Sequence, residues 1–213
     1  MGLIVTTPPA IEPITLGDAK RHLRFDEDLV EEDSLISLLI SSAREYGEAY
    51  CNRSFITQKR QLTIDCLPGG IGFGYYSGEP YGQPPNCLIL ERSPVQSVDS
   101  IVYVAMDGTT QTVVAPAAPA YAIDLSGPVG RIAPGFGQIW PISLPTIGAI
   151  KINYTCGYGL TTTSVPACVR HWILMRVSTM YHNRESVAIL GRGRVEALPY
   201  VDYMLDSIKV ELA

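Results

Sequence analysis

The spacing of apolar residues changes period twice along this chain. In PITLGDAKRHLRF, Leu16, Ala19 and Leu23 fall on one helical face. Thr15 stands where an N-cap belongs and Asp18 three residues on, the spacing of a capping box. A short helix is expected over about 15–24. In SLISLLISSAREYGEAYCN, Leu35, Leu39, Ala43, Tyr46 and Tyr50 recur at helical intervals, and Ile36 and Leu38 widen the stripe. Asn52 fits a left-handed stop, so a second helix is expected over 33–51. From about residue 56 the period becomes two, in QKRQLTIDCL, CLILER, SVDSIVYVAM and AIKINYTCG. Turn signals at Asp107-Gly108, LSGPVG and PGFGQIWP separate these runs. Helical period returns after Pro166, with Val169, Trp172, Ile173, Arg176 and Met180 near one face, and again in YVDYMLDSIKVELA, with Val201, Met204, Leu205 and Ile208.

The order helix, helix, strands, helix, tail gives an α+β chain. An antiparallel β-domain of six or seven short strands is inserted between helices whose broad apolar faces need one another. The expected division is a helical part over 1–55, a β-domain over 56–157, and C-terminal helices over 158–213 that complete a small bundle. Residues 1–13, with Pro8, Pro9 and Pro13, read as an extended leader at the start of the 1–55 part.

Composition narrows the partners. The formal charge is −5 and the chain as a whole lacks the basic footprint that grips phosphates. Only 17% of residues are charged and mean hydropathy is +0.15, which leaves apolar surface for assembly. No stretch reaches the length of about 20 apolar residues that a membrane span requires, and the N-terminus has no basic region ahead of an apolar run, so neither a membrane partner nor a signal peptide is expected. The five cysteines, at 51, 66, 87, 156 and 168, form no C-x-x-C and read as reduced core residues.

Few residues along the chain are spaced for chemistry. The acidic run Asp26–Asp33 lacks the glycine and terminal Glu of a calcium loop; it reads as charge favouring the start of the next helix. His171 and His182 lie eleven residues apart, about 16 Å along a helix, too far for one metal and with no visible nucleophile. The glycines 70, 72 and 74 open a phosphate-loop pattern that Ser77 breaks. No catalytic residue, cofactor or metal is expected, and an enzyme is not the reading. Two features suggest contacts. GGIGFGYYSGEPYGQPPN carries Phe73, Tyr75, Tyr76 and Tyr81 in an uncommonly aromatic arm, suited to packing on a partner or on the chain's own β-domain. The segment 170–194 carries Arg170, Arg176, Arg184, Arg192 and Arg194 against Glu185 alone, suited to an acidic protein surface or to DNA.

PITLGDAKRHLRFDED, followed by EEDSLISLLISSAREYGEAYCNRSFITQ, resembles the opening of the head–tail connector (neck adaptor, or head-completion) proteins of tailed bacteriophages. Thr15, Leu16, Ala19, Lys20, His22 and Leu23 match, as do Ala43 to Tyr46, Glu48, Tyr50, Ile56, Thr57 and Gln58. LERSPVQSVDSIVY, PGFGQIWP, INYTCGYG, VPACVRHWILM and YHNRESV continue the likeness along most of the chain. The resemblance implies a structural virion protein in the neck, a helical bundle with a β insertion. It implies a homo-oligomeric ring, usually of twelve copies, beneath the portal protein, with a stopper or tail-completion protein below and DNA passing through without sequence-specific binding. It places portal or subunit contact near the C-terminal segment, here at Arg184, Arg192, Arg194, Tyr200 and Tyr203. The 69–86 arm departs from the family pattern. The alternatives are a DNA-binding packaging accessory protein using the 170–194 arginines, and a hydrolase built on His171 or His182.

Overall fold

The structure is a computed structural model that describes residues 2–26, 28–68, 86–113, 121–183 and 199–211. It contains both helices and antiparallel sheets, an α+β fold. The chain divides into two compact units: one of residues 1–8, 57–157 and 210–213, the other of residues 9–56 and 158–209.

The first unit is the β unit. Its strands are β1 (Gly2–Thr7), β2 (Gln58–Ile64), β3 (Leu88–Leu90), β4 (Val95–Val104), β5 (Thr110–Val113), β6 (Tyr121–Asp124), β7 (Gly130–Pro134) and β8 (Ile150–Cys156). They form a five-stranded sheet in the order β1-β2-β8-β4-β5 and a three-stranded sheet in the order β3-β7-β6, every pair antiparallel. The alternation read from the sequence is literal in the two central strands. Leu62 and Ile64 of β2, and Ile150, Ile152, Tyr154 and Cys156 of β8, point into the core. Between them Gln61, Thr63, Asn153 and Thr155 face outwards. Leu88, Leu90, Tyr121 and Ile132 of the smaller sheet enter the same core. Burying each such side chain is worth roughly 1.5–3 kcal/mol. Tyr154 reaches across the core and donates to the Glu91 carbonyl at 2.8 Å, so its hydroxyl is satisfied in an apolar setting.

The leader, expected to be extended and part of the 1–55 helical part, is a strand of the β unit. Residues 2–7 pair with β2, Gly2 opposite Thr63 and Leu3 opposite Leu62. GLIVTT is a β-prone run, and the prolines at 8 and 9 end the strand rather than exclude it.

The helical unit holds α1 (Leu16–Leu23), α2 (Asp33–Cys51), α3 (Ala167–His182) and α4 (Pro199–Asp206). The capping box forms: the Asp18 amide donates to Thr15 Oγ1 at 3.1 Å and the Thr15 amide to Asp18 Oδ2 at 3.3 Å. Asn52 ends α2 in the left-handed region, at φ 52°. The core of α2 differs from the expected stripe by one position. Ile36, Ile40, Ala43, Gly47 and Cys51 are buried, whereas Leu38 and Tyr46 are exposed. Gly47 explains the rotation. A Cβ there would lie 2.8 Å from Trp172 Cζ3 and 2.9 Å from Phe55 Cε2. The bare backbone lets Trp172 of α3 sit directly on α2, with Val169, Ile173 and Val177 beside it.

Candidate interaction surfaces

Three regions of the described chain carry polar or apolar groups arranged beyond the needs of simple packing. The first is the N-terminal ion network of the helical unit. Arg44, buried in α2, donates from Nε to Glu12 Oε2 at 2.8 Å and lies 3.6 Å from Glu48. Ser41 donates to the other Glu12 oxygen at 2.9 Å. Glu48 in turn accepts the Phe55 amide at 2.7 Å. Burial alone would lower the Arg44 guanidinium; the hydrogen bond and charge of Glu12, with the charges of Glu48 and Glu45, more than offset that and raise it. Lys20 and Asp33 form a second pair at 2.5 Å, with Lys20 almost fully buried. The acidic run therefore contributes a specific partner as well as charge at the start of α2. Among the described residues no group of three or more His, Cys, Asp or Glu side chains is placed to hold a metal.

The second region is the seat of α4. Asp202 accepts Trp172 Nε1 at 3.2 Å and the Tyr46 hydroxyl at 3.4 Å; Asp206 accepts the Tyr50 hydroxyl at 2.8 Å. The hydrogen bond to Asp206, with burial and the two aspartate charges, pushes Tyr50 up to about 12, so the phenol stays protonated and donating at neutral pH. The Arg176 guanidinium lies 4.8 Å from the Tyr46 ring centre, and Lys209 lies 5.0 Å from that of Tyr50. Arg53 donates to the Ile208 carbonyl. Leu205 is fully buried beneath these contacts. Arg176, counted above among the contact arginines, thus has a structural neighbour of its own.

The third region joins β7 to β8. Residues 135–149 pass close to the turn between β4 and β5 and are pinned at several points. Trp140 is buried and donates from Nε1 to the Asn86 carbonyl at 2.8 Å. The Leu144 amide donates to Val104 at 2.8 Å, Ala105 and Ser143 form a bridge, and the Gly148 amide donates to Asp65 at 2.7 Å. From this fixed frame Phe136 (107% exposed), Ile139 (81%) and Ile147 (93%) stand in solvent, with Ile142 also exposed. PGFGQIWP, expected to be a turn, also presents large apolar side chains to solvent. The only signal was the density of large apolar residues in an uncharged proline–glycine run.

The residues expected to make contacts fall mostly elsewhere. Arg184, Arg192 and Arg194, and Phe73, Tyr75, Tyr76 and Tyr81, lie outside the described residues. Tyr200 belongs to α4, though its side chain is outside the described set; Tyr203 of α4 is 74% exposed. His171 and His182 are both exposed on α3. Cys51 is buried next to the α4 seat, and burial pushes its thiol up to about 12, far from a nucleophile's range.

Comparison with known proteins returns one family and a set of structures. Residues 13–79 match the model of the phage gp6-like head-tail connector protein. No curated protein matches the chain. Among solved structures, a chain from the neck of an empty gene transfer agent particle, computed with C6 symmetry, superposes with a TM-score of 0.76 at 20% identity, over 99% of this chain and 96% of that one. A chain from the virion of the native gene transfer agent particle gives 0.74 at 18% identity, and one from the neck of the native particle, computed with C12 symmetry, 0.68 at 17%, with the same coverages. The likeness to tailed-bacteriophage head–tail connectors read from the sequence is thus found independently: residues 13–79 carry the gp6-like connector signature, in a chain whose fold, almost end to end, is that of a gene transfer agent neck component.

Proposed function

We propose that this protein is a structural neck component, a head–tail connector that joins a capsid to its tail. The observation that carries the reading is a coincidence of two independent likenesses. The α1–α2 segment has a connector sequence, and the whole chain, β unit included, has the fold of a neck component. The internal chemistry agrees. Arg44, Glu12 and Glu48 satisfy one another, and Cys51 is held protonated, so these groups build the fold.

In this reading several copies form a ring, twelve in the simplest case, beneath the portal, extending the channel through which DNA leaves. The sixfold and twelvefold symmetries of the neighbouring particles support a ring. A net charge of −5 suits a channel wall along which DNA must slide. Portal contact falls on the C-terminal segment, at Arg184, Arg192, Arg194, Tyr200 and Tyr203, of which Tyr203 is presented outward from α4. The arm with Phe73, Tyr75, Tyr76 and Tyr81 meets a neighbouring neck protein. The test is light scattering of the chain with the portal protein of the same genome. A co-complex of defined stoichiometry is expected, weakened by the double substitution Arg192→Ala and Arg194→Ala. A chain that ignores the portal and binds DNA at physiological salt overturns the reading.

A further inference from the structure

Two of the five cysteines belong to the helical unit, Cys51 at the end of α2 and Cys168 at the start of α3. The contacts between these helices set them opposite each other. The helices run antiparallel: the Tyr158 amide, ahead of α3, donates to the Phe55 carbonyl, just past α2, at 3.2 Å. Further in, Gly47 lies against Trp172, and the Trp172 ring stacks on Tyr46 with ring centres 6.1 Å apart. One turn beyond Gly47 on α2 is Cys51, and one turn before Trp172 on α3 is Cys168. In antiparallel helices those two steps lead to the same level of the interface. Cys51 is fully buried there, and Cys168 is partly buried against the same apolar cluster. Both thiols are free.

Their surroundings give the two thiols different roles. Burial first, then the charges of Cys168 and Asp206 against those of Arg53 and Lys209, push the Cys51 thiol up to about 12. Tyr158 is raised by burial and, against Arg53, by Cys51 and Cys168, so one phenol feels both sulfurs. Cys51 is therefore a poor first nucleophile, and Cys168, the more accessible, is the point of entry for an oxidant.

We propose that Cys51 and Cys168 are an oxidisable pair, closed by a small-molecule disulfide of the oxidised-glutathione class into a covalent staple between α2 and α3. The Cys168 thiolate attacks one sulfur of the small disulfide; that S–S bond breaks, and one small thiol leaves with a proton. The Cys51 thiol then gives up its proton and attacks Cys168 Sγ, which expels the second small thiol. Two protein thiols are oxidised and one small disulfide is reduced to two thiols, so the electrons balance. The bond closes a loop over residues 52–167, which includes the 57–157 segment of the β unit. A cross-link across a loop on the order of 100 residues restricts the unfolded chain strongly. Thiols stay reduced in a cytosol and oxidise outside it. On the connector reading, on which this timing alone rests, the staple is open during assembly and closes once a particle has left its host.

The test is incubation of the pure chain with oxidised glutathione, followed by blocking of free thiols in denaturant and non-reducing peptide mapping. A linked Cys51–Cys168 peptide is expected, with both residues lost from the blocked set together. The closed chain is expected to melt about 5–15 °C above the reduced one, and dithiothreitol should reverse the rise. Cys168→Ser, a change at the partly buried position, should give neither the linked peptide nor the rise. Its melt in reductant reports whether it folds, and the parent's peptide map decides the matter without it. Three results would overturn the inference: Cys51 left free at every oxidant concentration, with or without glutathione held on Cys168; a bond from either residue to Cys66, Cys87 or Cys156; or a linked pair that melts like the reduced chain. None of these bears on portal binding, which is measured separately, so the connector reading stands or falls apart from them.

Discussion

The two units hold themselves together by different means. The β unit relies on area. Its core is aliphatic and aromatic; one cation, Arg60 of β2, is buried and donates to Gln58, and the ion pairs among its described residues, Lys59–Asp99 and Arg131–Asp124, are on the surface. The helical unit draws charge inside. Arg44, Glu48 and Lys20 are buried there and linked across distant parts of the chain, Glu12 to Arg44 and Lys20 to Asp33. α4 adds hydroxyl–carboxylate and indole–carboxylate bonds from Asp202 and Asp206. Short helices explain the difference. α1 and α4 have eight residues each, too few to be stable alone. A strand pair fixes its register through a ladder of backbone bonds, whereas a short helix can slide or rotate on an apolar surface. Directional polar contacts remove that freedom.

The largest break in this comparison should come from Trp172. It is fully buried, sits against Gly47, and also donates to Asp202. Trp172→Ala removes packing and the α4 anchor together and should cost about 3–5 kcal/mol. Hydrogen exchange should then show loss of protection in α2, α3 and α4, while the β2 and β8 amides keep theirs. Equal loss in the two units would mean that they unfold as one body and that the contrast has no thermodynamic content.

A smaller effect separates buried from exposed charge. Arg44→Met leaves Glu48 buried without its cation and should destabilise by on the order of 2–3 kcal/mol. Lys59→Met in the β unit removes an exposed partner of Asp99 and should cost about 0–1 kcal/mol. Denaturant melts of the two variants measure the difference. Similar costs would show that the Arg44 network is solvated in practice.

How far these features could be read in advance follows the same division. The α1 cap was legible because Thr15 and Asp18 are local, and so was the Asn52 stop. The face of α2 was misjudged by one position because Tyr46 and Tyr50 count as apolar by composition, yet spend their hydroxyls on Asp202 and Asp206. Gly47 carries no hydrophobic signal although it is the point of closest approach. The extended form of β1 was legible in GLIVTT but its pairing was not, since its partner strand begins at Gln58 and nothing within GLIVTTPP announces that partner. The apolar loop was half legible: its residues are plain in the sequence, but their exposure depends on Trp140 turning inward while Phe136 and Ile139 turn outward.

The smallest expected effect is acid sensitivity on the surface of the β unit. Asp124 accepts from the Ser126 amide at 2.9 Å and from its hydroxyl at 2.6 Å, and pairs with Arg131. Its Ser126 hydrogen bonds first, then Arg131, hold the carboxyl down to about 2. An unfolded aspartate titrates near 3.9, so the native state holds this proton more weakly than the unfolded state. The stabilisation is therefore complete above about pH 4 and is lost as pH falls towards 2. A carboxyl carbon titration by NMR should place the Asp124 midpoint near 2, and Asp124→Asn should reduce the pH dependence of stability in that window. The effect must be modest, because the group is solvated and salt screens its partner. A midpoint near 3.9 would show the turn to be open in solution. Asp107, held down by its Thr109 hydrogen bonds, is lowered as well, and so is Asp18 of the α1 cap, held down first by Thr15. Acid sensitivity that survives Asp124→Asn is therefore assigned by Asp107→Asn and Asp18→Asn in turn. Only a change that none of the three removes would require the contrast between surface charges and the buried network around Arg44 to be redrawn.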